Sequence, residues 1–239
     1  MRRLPEVSVV MPVYNGAAYV EAALRSIAAQ DMDMEILVHD DGSTDDSLEI
    51  VRAFARLDGR LDISTGSNAG PASARNRCLE RARGRWIAFL DHDDVWPVGR
   101  LRRQVGMLEK NAKAGAVLGH CIMFGSSPDD PASLSSADGR KVLAGFLQAG
   151  TFRSEALRAL GGLDPDLRAA DDLDLYLRLA ESNWSLMIDP EIAFHYRLHP
   201  GQWTADTRFA TSQTVRALHK SISRRRAAHG GVAPPLVVR

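Results

Sequence analysis

The chain has 239 residues, enough to bury a sizeable core as one large α/β domain or two small ones. Its 45% hydrophobic and 25% charged residues are ordinary globular values, which exclude disorder, collagen and coiled coil. Thirty Lys and Arg balance 30 Asp and Glu, so no nucleic-acid partner is expected, and two cysteines cannot build a disulfide framework.

No apolar run approaches the ~18 residues of a spanning helix, and the start of the chain lacks the form of a signal peptide. A cytoplasmic protein is expected. Charge is unevenly placed: eight acidic residues and no Lys or Arg fall between Ser26 and Val51. Arg216, Lys220, Arg224, Arg225 and Arg226 crowd the C-terminal segment instead. A basic helix there admits two readings, a solvated face or peripheral contact with an anionic membrane surface on its inner face. Residues 230–239, opening on Gly230-Gly231, read as a disordered tail.

Val7-Ser8-Val9-Val10-Met11 predicts a buried strand that stops at Pro12. Val20, Leu24 and Ile27 carry the helical stripe of residues 17–30. Glu35-Ile36-Leu37-Val38 is a second strand, and Ser43 with Asp46 has the spacing of a capping box before a helix through Phe54. Leu61-Asp62-Ile63 reads as a short third strand. Asn68-Ala69-Gly70-Pro71 then turns into a helix over residues 72–83. Trp86-Ile87-Ala88-Phe89-Leu90 is the clearest strand and ends in Asp91-His92-Asp93-Asp94. This alternation predicts an α/β fold with a mostly parallel sheet flanked by helices. Ligands then bind beyond the carboxyl ends of the strands, where Tyr14, Asp40, Asp41 and Asp91 fall.

The second half is less regular. Residues 116–124 read as a strand, 125–139 as a loop or lid, and 154–160 as a helix closed by Gly161-Gly162. Residues 171–181 form another helix, and 184–188 a late strand.

Several clusters suit chemistry. Asp91 and Asp93, two positions apart at a strand end, can reach one hard divalent cation and leave room for phosphate oxygens; the alternative is a solvated acidic turn. Asp41 can accept a hydrogen bond from a base or ribose, or serve a helix N-terminus. Tyr14 can stack on a base or pack at a strand end. Gly16 is the only glycine in the first turn, so no G-x-G-x-x-G is present and a dinucleotide-binding dehydrogenase is not expected. His195 reads as packing.

The ordered blocks Pro12-Val13-Tyr14-Asn15, Asp40-Asp41-Gly42-Ser43-Thr44-Asp45, Asn68-x-Gly70 with Ala74-Arg75-Asn76, and Phe89-Leu90-Asp91-His92-Asp93-Asp94 resemble family 2 glycosyltransferases. Gly161-Gly162-Leu163-Asp164, Asp171-Asp172-Leu173-Asp174-Leu175 and Tyr196-Arg197-Leu198-His199 continue the resemblance, which covers roughly residues 5–205. It implies a GT-A fold over residues 1–205, with a nucleotide-sugar half at about 5–110, a smaller acceptor half at 111–205, and a helical extension at 206–229.

The resemblance further implies that Pro12, Tyr14, Asp41, Arg75, Asp91 and His92 contact the nucleotide. Asp93 of the DxD element would hold Mg²⁺ or Mn²⁺, with His199 beside it. Asp172 would be the general base, with Asp171 supporting the acceptor and Arg197 near the diphosphate or metal. The implied reaction is inverting transfer from a nucleotide-diphosphate sugar, a UDP-sugar by default, to a hydroxyl of a sugar or glycoconjugate acceptor. That is the chemistry of polysaccharide or glycoconjugate biosynthesis. A carboxylate of ordinary pKa, about 4, is ionised at neutral pH and can act as the base.

Three positions depart from the family pattern. Asp171 replaces the usual Glu, Cys78 stands where Gly is common and should affect packing only, and residues 111–150 carry no transferable pattern. Two other classes stay open at this level. A nucleotidyltransferase would need a glycine-rich loop near the first strand, which is missing here, and a non-catalytic sugar-nucleotide binder would share every binding block.

Overall fold

The computed structural model describes residues 4–124, 141–143, 145–199 and 207–235. The expected loop over 125–139 and the tail residues 236–239 lie outside the described residues.

Four parallel strands form the first part of an eight-stranded sheet: β1 (Val7–Val13), β2 (Met34–Asp40), β3 (Leu61–Thr65) and β4 (Trp86–Phe89). Residues alternate between faces along a strand, so one apolar run feeds two cores. Val7, Val9, Met11 and Val13 pack with α1 (Val20–Ala28), α2 (Ser47–Leu57) and α4 (Arg100–Lys110). Val10 faces the opposite core, with α3 (Pro71–Leu79), α5 (Ser154–Leu160) and α6 (Asp171–Ala180).

The second part of the sheet is mixed. β7 (Gly150–Arg153) lies antiparallel between β4 and β5 (Ala114–Phe124), and β6 (Val142–Leu143) continues along the same edge of β5. β8 (Ser185–Arg197) runs parallel to the other edge of β5. The sequence reading holds no strand at β7 and ends β8 at 188. β8 continues past Pro190 because the chain bulges there: Leu118 faces Ile188, whereas His120 faces Ile192.

Two further expectations change. β1 does not stop at Pro12 but runs to Val13. The carbonyls of Glu6 and Val10 accept from Trp86 and Leu90, so alternate residues of β1 address β4. The missing N–H of Pro12 therefore falls where β4 has already ended. Ser43 and Asp46 also form no capping box. Asp45 does the work instead: Oδ1 accepts from the Ser47 amide at 3.0 Å, and Oδ2 accepts from the Ala17 amide at 3.0 Å.

α7 (Thr207–Ala228) packs on α6, with Ala217 against Leu167 and Ala170. Lys220 pairs with Asp164 at 2.5 Å, and Arg224 reaches Asp174 at 2.9 Å and Glu181 at 2.7 Å. Two of the crowded C-terminal cations thus face the domain, while Arg208, Arg216 and Arg226 are exposed. Among the described residues no helix is long and apolar enough to cross a membrane.

Candidate active site

A cavity of about 450 Å³ opens beyond the carboxyl ends of β1, β2 and β4. Of the residues expected at the site, Pro12, Tyr14, Asp41, Arg75, Asp91, His92, Asp93, Asp171, Asp172 and His199 all line it. Arg197 does not. Phe146, Gln148, Arg168 and Tyr196 line it as well, and the sequence reading assigned them no role.

The turn after β1 is sewn to the turn after β2. Asn15 has φ 49, and its side-chain oxygen accepts from the Thr44 amide at 2.8 Å. The Gly16 amide donates to the Ser47 hydroxyl at 2.8 Å. Gly16 is fixed by space, since a Cβ there would stand 1.9 Å from Cδ2 of His92. Tyr14 keeps 38% of its surface exposed at the edge of the cavity.

Asp41 is buried and works on the protein itself. Its two oxygens accept from the Ala69 amide at 2.9 Å and the Gly70 amide at 2.8 Å. That pins the loop before α3, where Gly70 sits at φ +93 and a Cβ would approach Nε of Arg168 at 3.2 Å. Only glycine takes this conformation readily.

The acidic turn after β4 divides its carboxylates among different partners. Asp91 accepts from Arg75 at 2.6 Å and from the Gln148 amide, so both of its oxygens are engaged. Asp93 Oδ2 lies 3.0 Å from His199 Nε2. Burial works against the Asp93 charge, but His92 and His199 outweigh it and hold the carboxyl below its ordinary range. Burial and the Asp93 charge hold Asp94 well above that range, and its Oδ1 accepts from the Arg197 amide at 2.8 Å. Arg197 lies beneath this turn, donating from Nε to the Asp93 carbonyl at 2.8 Å. It supports the turn rather than facing the cavity.

Among the described residues no group of three or more His, Cys, Asp and Glu side chains is placed to hold a metal. The candidate set is the Asp93–His199 pair. Ligands about 2.1 Å from a hard cation, on adjacent corners of an octahedron, lie about 3 Å apart, which the 3.0 Å spacing of this pair matches. One ionised carboxylate and one imidazole suit such an ion, with its other positions left to phosphate and water.

At the opposite wall α6 begins without a side-chain cap. Asp171 is drawn instead to Arg75, at 2.8 Å, so it neither caps the helix nor faces an acceptor as a free carboxylate. Arg75 bridges Asp91 and Asp171 across the cavity floor. Burial opposes its charge, but the two carboxylates raise the guanidinium further above its ordinary range. Burial and the Asp171 charge push the Asp172 carboxyl up to about 7. The ordinary value near 4 expected from sequence is therefore corrected. His195 packs edge-on to Phe124 at 6.3 Å, outside the cavity. Cys78 is buried with Sγ 3.3 Å from the Leu37 carbonyl, and burial pushes its thiol up to about 11.

The Glycosyl transferase family 2 model matches residues 8–149. The putative teichuronic acid biosynthesis glycosyltransferase TuaG of Bacillus subtilis (strain 168) is 32% identical over 204 residues, covering 81% of this chain and 79% of the relative. The chain belongs to glycosyl transferase family 2.

This glycosyltransferase is also 41% identical over 107 residues to the Escherichia coli UDP-Glc:alpha-D-GlcNAc-diphosphoundecaprenol beta-1,3-glucosyltransferase WfgD. That match covers 44% of this chain and 42% of the relative. The mannosyltransferase PcManGT from Pyrobaculum calidifontis, solved with GDP-Man and Mn²⁺, aligns at TM-score 0.73 and 25% identity, covering 98% of this chain and 67% of that one. S. aureus TarS 1–349 in complex with UDP-GlcNAc aligns at TM-score 0.75 and 20% identity, covering 92% of this chain and 66% of that one. The GT-A fold of this glycosyltransferase follows from the shared sheet and helices.

Proposed function

We propose that this glycosyltransferase moves a sugar from a nucleoside diphosphate donor to an acceptor hydroxyl with inversion, and that Asp172 takes the acceptor proton. One observation carries the reading: two unlike carboxyls face one cavity, Asp93 held ionised beside His199 and Asp172 held near pKa 7. Surroundings that push two acidic groups apart in pKa divide electrostatic from proton-transfer work.

Tyr14, Pro12 and the loop pinned by Asp41 would flank the nucleoside, with Asp91 and His92 along the ribose and diphosphate. Asp93 and His199 would hold Mg²⁺ or Mn²⁺, which when bound neutralises charge on the departing diphosphate. The acceptor oxygen bonds to the anomeric carbon as the bond from that carbon to the diphosphate oxygen breaks. The electron pair leaves with the diphosphate, and the acceptor proton passes to the Asp172 carboxylate. In this reading residues 5–110 serve the donor and 111–205 the acceptor.

The complexes of PcManGT and TarS support a nucleotide-sugar donor, with uridine the first base to test. The names of TuaG and WfgD support an acceptor in polysaccharide or glycoconjugate synthesis. Arg208, Arg216 and Arg226, exposed on α7, would give weak peripheral attraction to anionic lipid.

A thermal-shift screen of nucleoside diphosphates with and without Mn²⁺ tests donor binding, since a ligand specific to the native state raises Tm. Release of the nucleoside diphosphate on adding an acceptor pool then tests transfer. Binding without any transfer would leave a sugar-nucleotide binder. Release of pyrophosphate from a sugar phosphate and a nucleoside triphosphate would make the protein a nucleotidyltransferase.

A further inference from the structure

His199 follows β8 directly, and the neighbouring Leu198 amide donates to the Phe124 carbonyl at 3.0 Å. An imidazole at the end of a strand needs lateral support to keep one rotamer. That support comes from the other end of the chain. The Tyr19 ring lies 4.6 Å from the His199 ring, tilted by 38°.

Tyr19 is itself firmly held. Its amide donates to the Gly16 carbonyl at 2.9 Å, and its carbonyl accepts from Ala23 at 3.2 Å in the first turn of α1. Val20, Ala23, Leu24 and Ile27 of that helix are fully buried. The Tyr19 ring also meets the Arg197 guanidinium at 5.1 Å, and Arg197 in turn covers Phe124 at 4.5 Å. Phe124, Arg197, Tyr19 and His199 thus form one chain of contacts, which ends 3.0 Å from Asp93.

We propose that Tyr19 is the positioning residue of the Asp93–His199 pair, fixing the imidazole beside the carboxylate through ring contact, and so setting affinity for the divalent cation. The inference rests on the metal reading given above. Tyr19 is not among the residues that line the cavity, and it stands behind His199, which does line it. Residues that orient a metal ligand from behind typically contribute about 10- to 100-fold in metal affinity.

The test measures free Mn²⁺ by its electron paramagnetic resonance signal, titrated in the presence of UDP, or of GDP if UDP does not bind. Tyr19→Ala should weaken Mn²⁺ binding about 10-fold or more, while Tyr19→Phe, which keeps the ring, should stay within about threefold of wild type. Tyr19→Leu keeps apolar bulk at the head of α1 and serves if the Ala variant does not fold; it should also lose affinity. The decisive comparison is made in a His199→Ala background. There Tyr19→Ala (or Tyr19→Leu) should add no further loss, because the route proposed here, through the imidazole, has been removed; a loss that persists would instead run through Arg197, which donates to the Asp93 carbonyl.

An equal loss in both backgrounds would overturn the positioning role, as would a Phe variant as weak as the Ala one. If His199→Ala alone leaves Mn²⁺ binding unchanged, the metal role of His199 falls and the proposal falls with it. That outcome is distinct from a Tyr19 effect independent of His199.

Discussion

Arg75 donates to Asp171 at 2.8 Å across 96 residues of sequence, tying the helix that follows β3 to the helix that carries Asp172. The same guanidinium holds Asp91 at 2.6 Å, so one cation fixes two carboxylates at opposite sides of the cavity floor. Arg75→Gln would leave the buried Asp171 and the half-buried Asp91 without their counter-charge. Breaking a buried pair in this way typically destabilises by about 3–5 kcal/mol. The loss should be larger at pH 8 than at pH 5, because the Asp171 carboxyl, raised in the folded state by burial, loses folded-state stability as pH climbs through its pKa. Urea unfolding at the two pH values checks this, and equal losses would show that charge is not the cause.

Asp172 should govern the pH dependence of transfer. With its carboxyl at about 7, the single-turnover rate should rise as pH increases through that value and then level. Asp172→Asn should lower the rate by about 10²- to 10⁴-fold and remove the rise. Asp171→Asn should act differently, weakening the hold on Arg75 and lowering stability more than chemistry. A rate that survives Asp172→Asn, measured at saturating donor, would remove Asp172 as the base.

Raising the pKa of Asp172 also has a thermodynamic sign. The folded state holds this proton more tightly than the unfolded one, so its contribution to stability declines as pH rises from about 4 to about 7. Asp172→Asn should therefore stabilise the protein at pH 8, by on the order of 4 kcal/mol, and leave it unchanged at pH 4. Calorimetric Tm values for both forms at the two pH values decide it.

Gly16 and His92 offer a cycle of their own. Gly16→Ala places a Cβ into the imidazole, 1.9 Å from Cδ2, so the variant should lose stability and donor affinity together. Adding His92→Ala should restore most of the stability, although not the donor affinity. If the double variant is as unstable as Gly16→Ala alone, the turn itself, rather than the ring, requires glycine.

Tyr14 lines the edge of the cavity, where the proposed function puts the nucleoside. Base–aromatic stacking contributes about 1–3 kcal/mol, so Tyr14→Ala should weaken UDP and UDP-sugar alike by roughly 5- to 150-fold. Isothermal titration with both ligands tests it, and a loss confined to the sugar nucleotide would place Tyr14 elsewhere.

Much of this architecture is legible locally. The runs Val7–Val13 and Trp86–Phe89 declare themselves as strands because apolar β-branched and aromatic residues cluster between turn signals, and the acidic turn follows directly. What is not legible depends on distant partners. Gly150–Arg153 becomes a strand only because β4 and β5 present edges on both sides. Gln148 and Arg168 reach the cavity through tertiary packing, with no spacing rule to mark them. Asp41 and Asp91 look like open ligand acceptors in sequence, yet backbone amides, Arg75 and Gln148 already occupy their oxygens. The pKa of Asp172 is likewise set by burial and by Asp171, which the sequence shows only as a neighbour.

Pro12 gives the cavity its permanence. β1 pairs with β4 only as far as Val10 and Phe89, yet continues to Val13 beside β2, which leaves a notch in the sheet where the cavity opens. An unpaired strand flank is an invitation to further pairing, and here the chain leaving β4 lies within reach. A residue without an N–H at that flank cannot donate to it. One rung of the ladder is therefore missing where the gap would zip shut, and the room for a substrate is favoured by a hydrogen bond that the sequence withholds.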